Sequence, residues 1–453
     1  MVLPLVALLL ISLPAWGSGL TLEAAMERAV AVDPRLEVRR QEVAHARALL
    51  QEVEGQLGPR MDLDAFVGLS PAVSGSPFEA EPCGGSGQSP CRLRRDRYSL
   101  EEGLSPWLFT QFTLVKPLYT FGKLEQYRDA ALANIRVRDA AVRLTRGEIR
   151  LQVGQAYYGY LAAVTAAAFL EDAEGRIQRA ERLIEGWLEE GEGEASPADL
   201  YAIQTGKAVV AAYRAQAQGM RQVAEKALRL LVQLPEERPL VLAETRLRPL
   251  GPPPEEPLDR LTHEALEQRP EMTQLEQGQR ARRALMRAKK LDHRPNLYLG
   301  VVGAFSFSPA RERLNNPYVY DPFNDYGLTP VVGIQWQWRP EIQQAKVEQA
   351  RSELDSLIAQ GEFARRGIPF QVAEQYHQAH AAHQELSQLE QGARAARRWL
   401  VAAYSDFEAG VESADKLATA FQAYLLAYSQ YLQAVYRYNV HRLRLDQVIG
   451  AYP

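Results

Sequence analysis

The chain has 453 residues, of which 46% are hydrophobic, 24% charged and 9% aromatic. These ordinary globular values exclude wholesale disorder, collagen and low-complexity classes. The 52 basic and 56 acidic residues leave a net charge of -4, which excludes the basic balance of a nucleic-acid-binding protein. Two cysteines are too few for a disulfide scaffold or a cysteine-rich zinc site.

Residues 1–17 are predicted to be an export signal. Residues 2–15 form an apolar run that is too short for a membrane-spanning helix, which needs about 20 apolar residues. Ala15 and Gly17 supply the small residues of a cleavage site. The alternative is a buried N-terminal helix. No run of 18 apolar residues follows residue 20, so the mature chain is expected to be exported and to have no transmembrane helix.

The mature chain is predicted to be a duplicated unit, since residues 33–59 recur in pattern as residues 269–295, 236 positions further on (269 − 33). Further along, Gln152 and Tyr157 recur as Gln371 and Tyr376, 219 positions on (371 − 152). Residues 18–234 are therefore the first repeat and residues 259–453 the second. Residues 235–258 between them are rich in proline, which predicts an extended linker.

Each repeat contains a pair of predicted strands. Apolar residues alternate with polar or small ones in residues 61–69, 108–116, 297–305 and 332–338. This pattern is typical of a membrane β-barrel with lipid outside and water inside; the alternative is an ordinary amphipathic sandwich. Aromatic residues at or near the strand ends suit a membrane-interface girdle, namely Trp107, Tyr119, Trp336 and Trp338.

Four strands cannot close a membrane barrel, because the smallest barrels have about eight strands and lipid tolerates no open edge. Several chains are therefore expected to share one barrel. Three chains would supply twelve strands.

Two long helical stretches follow the strand pairs, at residues 118–234 and 341–449. Each has one break, at residues 191–197 and 407–413, which predicts two hairpins whose helices have roughly 50–70 residues and reach about 80–100 Å at about 1.5 Å per residue. Ser196 and Ser413 stand where an N-cap would restart each helix.

Four local patterns resemble those of the TolC family of outer-membrane efflux channels, over nearly the whole mature chain. Residues 22–34 resemble the family's opening helix, and residues 116–123 resemble its strand-to-helix turn, with Gly122 at the bend. Tyr436, Tyr438 and Asn439 resemble its closing helix. Its two helix-tip motifs are matched by Gly193, Ser196, Asp199 and Leu200 and by Gly410, Ser413, Asp415 and Leu417.

The resemblance implies a membrane β-barrel joined to a long α-helical barrel, assembled as a homotrimer in the lipid of the outer membrane with a periplasmic extension. It implies a passive exit duct for a tripartite efflux or type I secretion system. The partners would be a periplasmic adaptor (membrane fusion) protein and an inner-membrane pump of RND, ABC or MFS type. No enzyme activity, cofactor, metal or nucleic acid is expected. The alternative is a periplasmic coiled-coil adaptor or scaffold without a pore.

In this family the tunnel end is ringed by acidic side chains. The candidates here are Glu412 and Asp415, with Asp199 on the neighbouring tip, followed by Asp406 and Glu408. For each acid the alternative is a solvated helix surface. The resemblance also places adaptor docking at the tips, at Gly193, Ser196, Leu200, Gly410, Ser413 and Leu417.

The chain departs from the family at three positions. The second strand-to-helix turn, residues 338–341, has no glycine. Phe407 replaces a tyrosine that can link the two tips in the family. Glu412 stands where a basic residue helps to lock some members.

Three weaker signals complete the prediction. Cys83 and Cys91 lie eight residues apart (91 − 83) in a loop of an exported protein, which favours a local disulfide, with free thiols as the alternative. His377, His380 and His383 follow Glu374 at helical spacing but have no second motif opposite them, so they are expected to be structural. The basic segment of residues 280–290 is expected to be a solvated helix face.

Overall fold

The computed structural model describes residues 19–75, 92, 99–190, 196–313 and 320–451. The predicted export signal, Gly193, and Cys83 with Cys91 therefore lie outside the described residues. The chain divides into two compact units. The helical unit contains residues 1–43, 136–276 and 359–453, and the sheet unit contains residues 44–135 and 277–358.

The order of elements confirms the internal repeat. The first repeat consists of α1 (Leu22–Val32), α2 (Pro34–Gly55), β1 (Arg60–Pro71), β2 (Leu104–Tyr119), α3 (Lys123–Glu190) and α4 (Pro197–Val232). The second consists of α5 (Leu258–Gln268), α6 (Pro270–Leu291), β3 (Asn296–Phe307), β4 (Asp325–Gln335), α7 (Pro340–Glu408) and α8 (Ala414–Ile449). In five of the six pairs of equivalent elements, the lengths in the two repeats agree within one residue. Only β2 and β4 differ more, with 16 and 11 residues.

Two predicted lengths were wrong. The helices α4 and α8 each have 36 residues, not 50–70, because the break in each hairpin lies well beyond its midpoint. Strand β4 begins at Asp325 and ends at Gln335, before Trp336 and Trp338. It ends there because Gln335 pairs with Asn296, the first residue of β3, so the ladder has no partner left for the tryptophans. No helix among the described residues is apolar and long enough to cross a membrane.

The sheet unit is built on four antiparallel strands in the order β1-β2-β3-β4. The register puts one row of apolar side chains on one face, as the alternation predicted. These side chains are exposed: Met61, Leu63, Val67, Leu69, Leu104, Leu108, Leu114, Leu299, Phe305, Phe307, Tyr326, Leu328, Val332 and Ile334. We call this row the apolar face.

The opposite face of the sheet carries the polar and small strand residues, together with the aromatic rings of Phe66, Trp107, Phe109 and Tyr298. Its polar and small members include Asp62, Asp64, Gln111, Thr113, Gly300, Ala304 and Thr329. Phe66, Trp107 and Phe109 contact one another with ring centroids 4.8–5.8 Å apart. We call this surface the polar face.

Each of the two strand-to-helix turns connects a strand to a long helix, but the two differ in backbone conformation. In the first, Phe121 and Gly122 have φ values of 56° and 81°, a left-handed bend that glycine adopts without steric cost. In the second, α7 begins at Pro340, and Arg339 accepts the backbone N–H of Gln343 at 3.0 Å. Proline suits the first helical position, since its fixed φ is helical and its missing N–H has no partner there. The turn therefore needs no glycine.

The helical unit has its largest core where α1, α3, α4 and α8 meet, around the fully buried Tyr157 and Tyr438. The predicted closing motif holds the linker against this core. The buried Asn439 side chain accepts from Leu250 N–H and donates to Arg248 C=O, both at 2.8 Å. Residues 233–257 contain no helix, as the prolines predicted, and these two side-chain bonds fix the linker backbone at Arg248 and Leu250.

The α1–α2 and α5–α6 junctions each contain an acid–base ion pair, and the acid and the base occupy opposite positions in the two repeats. In the first repeat Arg35 pairs with Asp33 at 2.7 Å and donates to Gln152 at 2.9 Å. In the second, Arg269 occupies the position of Asp33; it pairs with Glu271 at 2.7 Å and donates to Gln371 at 2.8 Å. The two glutamines are equivalent in the repeat. Each junction thus makes the same contacts with acid and base exchanged.

We expect the stabilising effect of Asp33 to depend on pH. The hydrogen bonds from the Arg35 side chain, which outweigh the effect of burial, lower the pKa of Asp33. A carboxyl whose pKa is lower in the folded state stabilises the fold above its unfolded pKa, and this contribution is lost as pH falls through the folded pKa. The difference in melting temperature between the wild type and Asp33→Asn should therefore shrink between pH 5 and pH 2.5.

The matched control is Arg35→Gln, which removes the donor that lowers the pKa. In that background Asp33→Asn should show little pH-dependent difference. A difference that stays constant from pH 7 to pH 2.5 in the wild-type background would contradict the assignment.

Candidate functional site

The five candidate pore acids lie at the two helix tips of the helical unit. At the first tip, Ser196 is the N-cap of α4, as predicted. The Asp199 carboxylate accepts from the Ser196 N–H at 2.9 Å and from its hydroxyl at 2.6 Å. Such a capping box uses the acid to satisfy the start of the helix. Asp199 therefore serves the cap, and its carboxylate is not free in solvent.

At the second tip, α7 ends at Glu408 and the chain reverses at Gly410, whose φ of 68° is left-handed. The N–H of Val411 bonds to Asp406 C=O at 2.9 Å, a bond of the kind that closes a helix C-terminus. Ser413 is the N-cap of α8, as predicted, although its side chain makes no capping bond.

The structure separates Glu412 from the other acids of this tip. Its carboxylate pairs with Lys416 at 2.6 Å, so its charge is offset by a lysine one turn along α8. Asp406, Glu408 and Asp415 are exposed. Within the described ranges none of these three forms an ion pair. Of the five candidates, these three present free negative charge.

The predicted docking residues fall into two groups. Gly410 and Ser413 are exposed at the second tip, where a partner could reach them. Leu417 is only 4% exposed and belongs to the core of the hairpin tips, against which Leu200 also packs. Leu417 therefore holds the tip together and offers no free side chain. Amphipathic spacing along α8 was the signal for this, since Ala414, Leu417 and Ala420 share the buried side.

Phe407 lies in the same core. It is fully buried, and its ring centroid is 5.0 Å from that of Trp187. A side chain buried in this way packs the tip from within, so the departure from the family tyrosine replaces a polar link by an aromatic contact.

The predicted girdle residues also divide. Trp336 and Trp338 are 62% and 71% exposed and lie just beyond the end of β4; Tyr119 is exposed at the end of β2. Trp107 lies on the other face of the sheet. It pairs with Gly68 on the polar face, and its indole N–H donates to Ser306 at 2.8 Å. The strand extends to Leu104, which places Trp107 inside it and fixes its side.

Sequence reasoning missed a buried polar cluster at the far end of the sheet from α2 and α6. We call it the loop cluster: Ser70, Ser105, Ser306, Ser308, Arg311 and Asp321, all buried. Ser308 bonds to Ser70 at 2.7 Å and to Ser105 at 2.8 Å. Arg311 lies 3.6 Å from Asp321 and donates to Pro71 C=O at 2.9 Å. These residues come from four separate segments of the chain, so no local sequence motif predicts the cluster.

The three histidines of α7 make ring contacts. His380 lies against Tyr376 with centroids 4.3 Å apart, and His383 against Tyr438 at 5.1 Å. In the part of the chain that the structure describes, no three His, Cys, Asp or Glu side chains are arranged to hold a metal ion.

We compared the chain with known protein families and solved structures. The family model for outer membrane efflux proteins matches residues 261–451, which lie in the second repeat. No curated protein is similar enough in sequence to match. The transmembrane channel CusC is 16% identical, with 97% of this chain and 95% of that chain covered and a TM-score of 0.74.

Two further solved structures agree. The outer-membrane channel OprN is 16% identical, with 95% of this chain and 90% of that chain covered and a TM-score of 0.74. The outer-membrane channel CmeC of Campylobacter jejuni is 13% identical, with 95% and 85% covered and a TM-score of 0.72. These likenesses extend the fold to the first repeat. The resemblance to outer membrane efflux proteins is confirmed over residues 261–451, which the family model matches, and nearly the whole chain shares the fold of the solved outer-membrane channels.

Proposed function

We propose that the chain forms, as a homotrimer in the outer membrane, the exit duct of a tripartite efflux system. The observation that carries the proposal is the sheet. Its apolar face is exposed along all four strands, and its edge strands β1 and β4 each have one neighbour in the described chain. An exposed apolar face suits contact with lipid, and lipid tolerates no open edge.

Closure therefore requires further copies of the chain. Pairing β4 of one copy with β1 of the next gives a closed ring, and three copies give twelve strands, an even number within the range of membrane barrels. The polar face would then line a water-filled lumen. Substrate would pass through it without chemical change, since the family and the similar structures are channels and not enzymes.

The helix tips are the proposed meeting point with a periplasmic adaptor protein, which would connect the duct to an inner-membrane pump. Gly410 and Ser413 offer exposed positions for this contact. The class of pump, RND, ABC or MFS, and use in type I secretion depend on the partner's surface. Asp406, Glu408 and Asp415 are the proposed acidic ring of the constriction.

The competing function, a periplasmic adaptor or scaffold without a pore, predicts a monomer in aqueous extract. A duct predicts extraction only with detergent and a stable oligomer. A more direct test is to crosslink edge strand β1 of one copy to edge strand β4 of the next by disulfides. In a background with Cys83 and Cys91 changed to serine, Asp64→Cys on β1 is combined in turn with Gly327→Cys, Thr329→Cys and Val331→Cys on β4, all on the polar face.

Oxidation of at least one of these pairs should give a covalent trimer on a denaturing gel. The matched control is Thr113→Cys with Val302→Cys, which face each other on the central strands β2 and β3 and should give only a crosslinked monomer. Aqueous extraction as a monomer, with no covalent trimer from any edge pair, would refute the duct.

A further inference from the structure

A basic groove lies in the sheet unit where β4 ends and α7 begins. Its volume is about 630 Å³. Four cationic side chains line it, from three separate segments of the chain: Lys123, Lys290, Arg339 and Lys346. We call it the junction groove. His293 and the polar side chains of Gln337, Gln343 and Gln344 also line it.

The negative charge available to these cations is already engaged. Asp292 is the one acid that lines the groove; it accepts a hydrogen bond from the Tyr127 hydroxyl at 3.0 Å and lies 3.7 Å from Lys289. Across the described ranges, none of the four cations forms an ion pair. Like charges gathered around one concave site repel one another, so the arrangement favours an added anion.

The first repeat serves as an internal control. The position equivalent to Lys290 is Glu54 (290 − 236), and Glu54 pairs with Arg128 at 2.8 Å. In the second repeat Arg128 is replaced by Val347 (128 + 219), next to Lys346. The acid that completes an ion pair in one repeat is thus a lysine in the other. The second junction lacks the negative group that the first supplies internally.

The order of side chains along the chain identifies the medium around the groove. The apolar face ends at Val332 and Ile334, the exposed Trp336 and Trp338 follow along the chain, and Arg339 follows them directly. A bilayer has the same sequence of layers: hydrocarbon, an interface that favours tryptophan, and charged headgroups. Extended residues advance about 3.3 Å each, so Arg339 lies at most about 17 Å from Ile334, beyond the tryptophans on the side away from the apolar face.

We propose that the junction groove binds the phosphate headgroup of an anionic glycerophospholipid, whose acyl chains lie along the apolar face beside Ile334. Arg339 can hold two phosphate oxygens at once, while Lys123, Lys290 and Lys346 act as point charges. The first N–H groups of the 69-residue helix α7 add partial positive charge on the same side. The proposal rests on the outer-membrane function proposed above.

The test uses the intact oligomer in detergent, titrated with dioleoylphosphatidylglycerol or dioleoylphosphatidylcholine and observed by native mass spectrometry. The wild type should bind the anionic lipid about tenfold more tightly than the zwitterionic one. Lys290→Gln/Arg339→Gln/Lys346→Gln should lose about tenfold of that affinity. The matched control is Arg280→Gln/Arg283→Gln/Arg287→Gln, which removes three exposed charges from α6 outside the groove and should bind as the wild type does.

Equal affinity of the triple variant and the wild type, or an equal loss in the control, would overturn the proposal. Displacement of the lipid by millimolar inorganic phosphate would assign the groove to a soluble anion instead, and so would also overturn it. If the triple variant does not assemble, Lys290→Glu replaces it: this variant restores the acid of the first repeat and should likewise lose the lipid preference. A membrane-extracted oligomer without lipid preference defeats this proposal alone, whereas an aqueous monomer defeats the proposed function.

Discussion

Replacing Arg311 with methionine should destabilise the loop cluster by about 3–5 kcal/mol, since the change leaves a buried carboxylate without its partner. The side chains of Arg311 and Asp321 are only 3% and 4% exposed. The guanidinium also lies 4.4 Å from the Phe323 ring centroid, so the change removes an ion pair, a hydrogen bond and a cation–π contact together. Amide hydrogen exchange in residues 306–312 and 320–325 measures the free energy of local opening.

The matched control is Arg351→Met on α7. Arg351 lies 3.7 Å from Asp355, nearly the same separation, but both side chains are more than 60% exposed. An exposed pair contributes about 0–1 kcal/mol, so this variant should change exchange little. Arg311→Met/Asp321→Leu removes both charges and should recover much of the loss. If Arg311→Met and Arg351→Met behave alike, burial of the pair is not the source of its stability.

Asp415→Asn should weaken block of the channel by multivalent cations by about tenfold in planar-bilayer recordings. Three copies would remove three carboxylates from the proposed constriction. One carboxylate attracts a divalent cation about 8 Å away by about 1 kcal/mol in water, and salt screens part of this. A total loss of about 1.4 kcal/mol corresponds to the tenfold change.

The structure alters which acid should carry this effect. Glu412 and Asp415 were expected to act together, but Glu412 pairs with Lys416. Glu412→Gln/Lys416→Gln leaves the net charge unchanged, so this double variant should show wild-type block. Unchanged block in Asp415→Asn would remove Asp415 from the pore, and a loss in the Glu412/Lys416 variant would show that the pair is not neutral in effect.

Much of the fold follows from sequence because its signals are local or repeated. The face that each strand residue occupies follows from alternation, which assigns every second residue of β1 to one side of the sheet. Helix restarts follow from Ser196 and Ser413, which need only their own neighbours to act as caps. The repeat strengthens each signal by showing it twice.

The parts that sequence reasoning missed depend on contacts between distant segments or on competing local partners. The loop cluster joins residues as far apart as Ser70 and Ser308, and no spacing rule connects them. Trp107 was expected at a strand end, but β2 extends past its predicted start and places Trp107 inside the strand, on the polar face. The neutralisation of Glu412 did have a local signal, since Lys416 follows at the four-residue spacing of helical ion pairs.

The exchanged ion pairs at Asp33–Arg35 and Arg269–Glu271 have a consequence for how the two halves can diverge. Each arginine donates a hydrogen bond to a glutamine within its own repeat. Neither junction therefore depends on a residue of the other repeat for these contacts. Copying one residue alone from the other half would place two like charges side by side: Asp33→Arg beside Arg35, or Arg269→Asp beside Glu271. Copying both residues would preserve the contacts. The pair, and not the single position, is therefore the unit that can be inherited or exchanged between the halves of this molecule.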